Sequence, residues 1–195
     1  MKIAIHGGMA VGKTTLINKI KAQYPELTYS FEDIGDVVRK IKCLGLNKNL
    51  YNDYLINQEL FIKHEIKRFN TLNYDKVIMD YSAEEVVFQT LNFPKVFHPE
   101  WTMHHIERLA ERLKPYYVDC ILYLDAHPKV LYQRKTRDMS RDRKSFDDYM
   151  HGIHVLKKEW YKNLDHVTLL DTTFMSEEEV YDFAVSWLKD KLFII

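Results

Sequence analysis

The pattern G-x-x-x-x-G-K-[ST] is matched by Gly7-Gly8-Met9-Ala10-Val11-Gly12-Lys13-Thr14. The apolar run Met1–Ile5 comes before it, and the residues after it place Leu16, Ile17 and Ile20 on one face of a helix. Strand, glycine-rich loop and helix in this order form a cradle for anions, because main-chain N–H groups and the helix N-terminus point inward. The sequence therefore predicts a nucleotide-phosphate site.

Each residue from Gly7 to Thr15 is expected to lie around the phosphates. Lys13 has the side chain that reaches the β- and γ-phosphates, and the Thr14 hydroxyl is a ligand for Mg²⁺. ATP and Mg²⁺ are the cofactors that this loop implies. The alternative is a plain glycine-rich turn without a ligand.

Short apolar runs alternate with helical patterns along the chain, which is typical of a parallel sheet with helices on both faces. This predicts an α/β fold of three layers around a five-stranded sheet. Asn92-Phe93-Pro94 is predicted to be a loop. The predicted strands are residues 2–6, Leu27–Glu32, Lys76–Asp80, Asp119–Asp125 and His166–Asp171.

The composition favours one domain over residues 1–195 and a small-molecule substrate. The chain has 195 residues, 46% of them hydrophobic, and 28 basic and 28 acidic residues give a net charge of +0. Without a basic field, neither nucleic acid nor an acidic membrane is an expected partner. Two cysteines, Cys43 and Cys120, predict no disulfide framework, and the lack of a targeting pattern predicts a cytoplasmic protein.

Acidic residues close three of the predicted strands. Ligands of an open parallel sheet bind beyond the carboxyl ends of its strands, and phosphoryl transfer needs one carboxylate for the accepting hydroxyl and another for magnesium. We assign Glu32 as the base and Asp80 as the magnesium partner, partly through water. Capping of the following helices is the alternative for both, and it is the preferred role for Asp125, which stands before Ala126-His127-Pro128.

Gln58 lies on a predicted helix, on the same face as Tyr51, Tyr54 and Ile62. A polar amide on an apolar face is costly unless it is paired, and an amide can read the edge of a nucleobase. Tyr51, Tyr54 and Gln58 therefore form a candidate substrate pocket. A glutamine satisfied by the main chain is the alternative.

Three arginines follow at helical spacing, Arg134, Arg137 and Arg141. Their guanidinium groups fit a lid, over about residues 134–145, that closes on a triphosphate and stabilises the transferring phosphoryl group. The alternative is a solvated face whose charges pair with Asp138 and Asp142.

Taken together, the chain resembles the deoxyribonucleoside kinases over nearly its whole length. The shared motifs are the phosphate loop, Phe31-Glu32, Ile56-Asn57-Gln58, Asp80-Tyr81-Ser82, Pro99-Glu100-Trp101-Thr102, Leu122–Pro128, Tyr132-Gln133-Arg134, the arginines to Arg143, Tyr149-Met150 and Glu159-Trp160.

The resemblance implies a P-loop kinase fold with an arginine-rich helical lid, ATP-dependent phosphorylation of a deoxyribonucleoside 5′-hydroxyl in nucleotide salvage, and a homodimer. It assigns Glu32 as the catalytic base, Gln58 as the base-reading residue, and Asp142 as the lid acid that holds the sugar. Arg134, with Arg137 or Arg141, clamps the phosphates.

Two positions depart from the family pattern. Tyr81 stands where the family has an arginine, and Asp33-Ile34 replaces its Pro-Val. Arg39 or a lid arginine is expected to compensate for Tyr81. Two alternatives therefore stay open: a nucleoside monophosphate kinase of the thymidylate kinase type, and a nucleotide-binding regulatory protein without catalysis.

Overall fold

A computed structural model describes residues 1–137, 146–191 and 193–194. Contacts divide the chain into two compact units. Unit 1 comprises Met1–Ser30, Tyr74–Asp80 and Asp119–Ile195, and unit 2 comprises Phe31–Asn73 and Tyr81–Val118. The single domain over residues 1–195 stays a prediction.

The elements follow one another in the alternating order that the sequence predicts. The strands are β1 Lys2–Gly7, β2 Thr28–Ser30, β3 Val77–Asp80, β4 Cys120–Asp125 and β5 Val167–Asp171. The α-helices within the described residues are α1 Lys13–Gln23, α2 Gly35–Cys43, α3 Tyr51–Thr71, α4 Ala83–Phe97, α5 His104–Glu111, α6 Pro128–Arg137, α7 Phe146–Asp148, α8 His154–Lys162 and α9 Glu177–Asp190. A 3₁₀ turn spans Lys114–Tyr116, and a π-helical turn spans Tyr149–Ile153.

Unit 1 contains the whole sheet, whose parallel strands run in the order β2-β3-β1-β4-β5. The central strand β1 is apolar and closed to solvent, with Ile3, Ala4 and Ile5 at most 1% exposed, as expected for a strand covered on both faces. The register pairs Ile5 with Asp80 and Gly7 with Leu124. The phosphate loop and Asp80 therefore lie at the same carboxyl edge of the sheet.

Helices flank this sheet. Helix α1 packs against β1, β3 and α9, and α8 packs against β5. Helix α9 begins with a capping box, in which Ser176 Oγ accepts from the Glu179 N–H and the Glu179 carboxylate accepts from the Ser176 N–H. The predicted α/β fold with a five-stranded parallel sheet is confirmed.

Unit 2 is helical. Helix α3 packs against α2, α4 and α5, and α4 also contacts the 3₁₀ turn. Aromatic rings fill the space between α3 and α4, where the rings of Tyr54 and Phe93 stack with centroids 5.5 Å apart. Among the residues that the structure describes, no helix is long and apolar enough to cross a membrane.

Strand β2 is shorter than predicted. It ends at Ser30, which pairs with Met79, and Glu32 follows it by two residues instead of closing it. On the partner strand, Asp80 is followed by Tyr81, whose φ of 57° is left-handed. A left-handed residue ends the extended backbone of a strand, so β2 has no partner strand with which to continue its hydrogen bonds.

Helix α4 runs through the predicted loop at Asn92-Phe93-Pro94. A proline inside a helix removes the N–H that bonds to the carbonyl four residues earlier, which here is that of Thr90. The Tyr54 hydroxyl donates to the Thr90 carbonyl oxygen at 2.9 Å and takes the place of this missing donor. The prediction of a loop was wrong because α3 supplies what the helix lacks.

Candidate active site

The phosphate loop connects β1 to α1 through left-handed backbone. Gly7 and Gly12 have φ of 144° and 100°, and Ala10 has φ of 63°. A Cβ at Gly7 would lie 2.3 Å from the carbonyl oxygen of Leu124 on β4, so only glycine fits there. The loop therefore has the tight curl that brings successive N–H groups toward one anion.

Lys13 turns back over this loop. Its Nζ donates to the carbonyl oxygens of Gly8 at 3.0 Å and of Gly7 at 3.4 Å. The ammonium group is thus held at the mouth of the loop by main-chain oxygens. A phosphate is a stronger acceptor for this cation than a neutral carbonyl, so these bonds leave Lys13 ready to bind one.

A cavity of about 710 Å³ opens over the loop and the start of α1. Its lining residues are Ala10–Leu16, Asn18, Lys19, Val130, Gln133, Arg134, Arg137, Thr173, Met175, Ser176, Glu177 and Val180. The structure therefore brings the predicted residues Lys13, Thr14, Thr15, Arg134 and Arg137 together in unit 1. A volume of this size suits a nucleotide.

Arg134 is anchored beside this cavity by a residue that the sequence analysis did not single out. Its guanidinium donates to Thr172 Oγ1 at 2.9 Å, to the Thr172 carbonyl oxygen at 2.8 Å and to the Val11 carbonyl oxygen at 3.4 Å. Burial lowers the pKa of Arg134, yet a guanidinium stays charged at neutral pH. Arg134 thus joins α6, the phosphate loop and the segment after β5.

Three polar side chains from α8 and the π-helical turn before it pack behind the loop. Lys157, 2% exposed, donates from Nζ to the Gly7 carbonyl oxygen at 3.4 Å. A Cβ at Gly8 would lie 2.6 Å from Tyr149 Oη and 3.6 Å from His154 Nδ1. Ile153, Lys157 and Tyr161 lie at a spacing of four residues and so share one face of a helix. A lysine between two apolar residues on that face was the signal in the sequence that could have identified Lys157 as buried.

Asp125 does not cap α6. Its Oδ2 accepts from Lys158 Nζ at 2.6 Å, and its Oδ1 lies 3.8 Å from His154 Nε2. In the first turn of α6 the Lys129 N–H donates instead to His127 Nδ1 at 3.3 Å. The prediction of a cap was wrong, because a lysine on α8 offers the buried carboxylate a charged partner.

Asp80 and Glu32 belong to different units. Asp80 is the last residue of β3 in unit 1 and is half-buried, whereas Glu32 lies in unit 2, between β2 and α2, and is exposed. The Tyr81 carbonyl oxygen accepts from Arg68 Nη1 at 3.3 Å, and Arg68 also pairs with buried Glu65. Exposed Arg39 pairs with Asp36, so its compensation for Tyr81 stays a prediction.

Gln58 is 9% exposed in unit 2, and Oε1 of its amide lies 2.8 Å from Thr90 Oγ1. Tyr54 is a core residue whose hydroxyl donates to the Thr90 carbonyl oxygen on α4, and burial raises the pKa of this hydroxyl. Tyr51 donates to the Thr102 carbonyl oxygen at 2.9 Å, and it lines a different groove with Leu55 and His105. The assignment of both tyrosines to the substrate stays a prediction.

Arg141 and Asp142 lie outside the described residues, as does all of the predicted lid beyond Arg137. Their roles on the phosphates and the sugar stay predictions.

The fold is similar to those of solved nucleoside and nucleotide kinases. Thymidylate kinase from Candida albicans aligns with a TM-score of 0.71 and 16% identity, over 98% of this chain and 92% of that chain. Deoxyadenosine kinase from M. mycoides, solved with dCMP and dCDP, aligns with a TM-score of 0.69 and 18% identity, over 97% and 100%. YorR from Bacillus subtilis, solved with phosphorylated GDP, aligns with a TM-score of 0.56 and 18% identity, over 100% and 99%.

At such low identity these likenesses show the fold. No curated protein matches the sequence. The family model of the deoxynucleoside kinases matches residues 3–187, so the chain belongs to the deoxynucleoside kinase family and is a nucleoside phosphotransferase.

Proposed function

We propose that this kinase transfers the γ-phosphoryl group of ATP to the 5′-hydroxyl of a deoxyribonucleoside. The observation that carries the proposal is the cavity of about 710 Å³ in which Lys13, Thr14, Arg134 and Arg137 meet above the phosphate loop. Cations and main-chain donors around one cavity fit a triphosphate.

On the donor side, the loop from Gly7 to Thr15 binds the phosphates through its N–H groups, and Lys13 moves from the carbonyl of Gly8 to the β- and γ-phosphates. Arg134, with Arg137 or Arg141, stabilises the negative charge that spreads over the phosphoryl oxygens as the bond to ADP breaks.

Thr14 and Asp80 are the residues that we expect to hold magnesium, Asp80 partly through water. Both supply oxygen ligands, which Mg²⁺ prefers, and both lie at the carboxyl edge of the sheet in unit 1. Magnesium, when bound, neutralises charge on the phosphate oxygens.

On the acceptor side, Glu32 takes the proton of the 5′-hydroxyl as the oxygen forms its bond to phosphorus and ADP leaves with the electron pair of the broken bond. Gln58 hydrogen-bonds the base, with Tyr51 and Tyr54 near it, and Asp142 holds the sugar. The resemblance of Phe31-Glu32 and Ile56-Asn57-Gln58 to the family motifs supports the first two roles.

The same resemblance supports a cytoplasmic homodimer that acts in nucleotide salvage. Sedimentation measures the dimer as a particle of twice the chain mass of 23.4 kDa.

The first experiment incubates the purified protein with Mg²⁺, ATP and each common deoxyribonucleoside or its monophosphate, and identifies the products by mass spectrometry. A new nucleoside monophosphate is the expected product. If only diphosphates form, the acceptor is a monophosphate and the proposal is wrong. ATP binding without any phosphorylated product indicates a regulatory protein.

A further inference from the structure

One carbonyl oxygen of the phosphate loop accepts from two lysines. The Gly7 oxygen lies 3.4 Å from Lys13 Nζ, at the start of α1, and 3.4 Å from Lys157 Nζ on α8. Among the described residues that line the cavity of about 710 Å³, Lys13 is present and Lys157 is not. Lys13 therefore faces the nucleotide cavity, whereas Lys157 lies behind the loop.

The peptide between Gly7 and Gly8 is a part of the loop that needs such support. Neither residue has a side chain that packing could hold, and glycine has the widest range of backbone conformations. The Gly7 carbonyl and the Gly8 N–H belong to one rigid plane, so a turn of the carbonyl also turns the N–H and the chain that follows it. What anchors this oxygen therefore influences the shape of the anion cradle.

Lys157 stands on a helix that is fastened along the same stretch of chain. One helical turn after it, Tyr161 Oη lies 2.6 Å from Nδ1 of His6, and both residues are 0% exposed. Helix α8 is thus tied to the residue just before Gly7. Lys157 itself is 2% exposed, so packing holds its side chain in this place.

Lys13 is expected to leave the Gly7 carbonyl when ATP binds, because phosphate oxygens are stronger acceptors for its ammonium group than carbonyl oxygens. We propose that Lys157 is a positioning residue for phosphoryl transfer, which holds the Gly7 carbonyl, and with it the shape of the phosphate loop, while Lys13 is on the phosphates. This rests on the proposed function, in which ATP binds at this loop.

The test begins with Lys157→Met, which keeps a long unbranched side chain and removes the ammonium group. Loss of a hydrogen bond from a charged donor is expected to weaken ATP binding about tenfold or more. The KM for ATP rises by a similar factor, while kcat at saturating ATP stays within about threefold. Calorimetric titration of ATP and steady-state kinetics measure these quantities, and an affinity within about threefold of wild type overturns the inference.

Thermal unfolding separates this role from a merely structural one. Replacement of a buried charged group by an apolar side chain of similar volume is often neutral or stabilising, so the Tm of Lys157→Met is expected to stay or to rise while ATP affinity falls. A lower Tm together with unchanged ATP affinity would mean that Lys157 only stabilises the fold, which contradicts the proposal.

A double-mutant cycle with Lys13→Met separates positioning from simple attraction between charges. Without Lys13, Lys157 holds the Gly7 carbonyl both before and after ATP binds, so its loss affects the free and the bound loop alike. In this background Lys157→Met is expected to lower ATP affinity by less than about threefold. Equal losses in both backgrounds would mean that Lys157 acts as a distant charge on the triphosphate, and the inference is then wrong.

The matched control is Lys162→Met, which removes the same charge from an exposed position of α8, where Lys162 Nζ lies 4.0 Å from Glu159 Oε2. Its ATP affinity is expected to equal that of the wild type. If Lys157→Met does not fold, Lys157→Gln, whose neutral amide is shorter, takes its place in every comparison. A wild-type protein that does not bind ATP refutes the proposed function, whereas equal ATP binding by the wild type and the variant refutes this inference alone.

Discussion

At the scale of single residues, Gly8 and Tyr149 constrain each other. A Cβ at Gly8 lies 2.6 Å from the Tyr149 hydroxyl oxygen but 3.5 Å from the ring carbon that bears it. We predict that Gly8→Ala destabilises the protein by about 1–3 kcal/mol through overpacking. Thermal unfolding of Gly8→Ala, Tyr149→Phe and the double variant measures this.

The double variant removes the oxygen that the new methyl group meets, so it is expected to recover most of the lost stability. Equal destabilisation in the single and double variants would show that the loop backbone, rather than Tyr149, rejects the side chain. Gly7→Ala serves as a reference that Tyr149→Phe does not rescue, because its Cβ meets the main-chain oxygen of Leu124.

Glu32 and Lys13 are predicted to act on different steps. Glu32→Gln removes the proposed proton acceptor and lowers kcat by roughly 10²- to 10⁴-fold, while ATP affinity is retained. Lys13→Met removes the cation at the phosphate loop and weakens ATP binding itself. Steady-state kinetics together with calorimetric titration of ATP separates the two effects.

The neighbouring Asp33→Asn is the control for Glu32→Gln, because Asp33 accepts from the Gly35 N–H at 3.1 Å through an oxygen that asparagine keeps. Near-native turnover in Glu32→Gln contradicts the assignment of the base and leaves the fold untouched.

The sequence was informative about charged residues near the phosphates and uninformative about what holds them. Lys13 and Arg134 belong to recognisable motifs, and the structure places both in one cavity. Thr172 and Lys157 were missed because their contacts involve main-chain carbonyl groups. The Thr172 carbonyl accepts from Arg134, and Lys157 donates to the Gly7 carbonyl. Every residue type has a carbonyl, so such contacts leave no pattern in the sequence.

At the scale of elements, α4 depends on a side chain from α3. We predict that Tyr54→Phe destabilises the protein by about 1–3 kcal/mol, because the buried Thr90 carbonyl loses its donor. In a Pro94→Ala background the N–H of residue 94 serves that carbonyl, and Tyr54→Phe then costs much less. Denaturant unfolding of the four proteins gives the coupling free energy.

Additive effects of Tyr54→Phe and Pro94→Ala would contradict this explanation of how the helix tolerates its proline. Such coupling also explains the error in the sequence analysis. Asn92-Phe93-Pro94 has the composition of a loop, and its helical state depends on Tyr54, a residue remote in sequence.

The other error at this scale concerns β2. Its apolar pattern continued to Glu32, but pairing stops at Ser30 because the partner strand β3 ends at Asp80, directly before the left-handed Tyr81. The end of an edge strand is set by its neighbour, and hydrophobic periodicity does not contain that information.

At the scale of the whole molecule, stability is predicted to fall on mild acidification through His154. Burial lowers the pKa of His154, even though Asp125 opposes this shift. Below the unfolded-state pKa of about 6.5 the unfolded chain binds a proton that the folded protein does not, so unfolding is favoured as pH falls through that value.

Melting temperatures between pH 7.5 and 5 test this prediction. The slope is expected to be shallower in His154→Gln than in the wild-type protein, and unchanged in the control His151→Gln, because His151 is exposed. Parallel curves for wild type and His154→Gln would assign the acid sensitivity to other groups.

The overall architecture was the most predictable level. Alternation of short apolar runs with helical patterns predicted the five parallel strands, and the order of the motifs predicted the family. Both signals are spread over many residues, so local errors at β2 and α4 did not change the result. The roles of Glu32, Gln58 and Asp80 depend on distances to substrate atoms, which no sequence pattern specifies.

The proline in α4 also has a consequence for descent. Pro94 leaves the Thr90 carbonyl without a donor, and the Tyr54 hydroxyl supplies one, so positions 54 and 94 are expected to evolve together. If the proline is replaced first, a hydroxyl at position 54 is no longer required for stability. If the hydroxyl is lost first, the intermediate protein is less stable. Among homologues we expect phenylalanine at position 54 chiefly where position 94 is no longer proline.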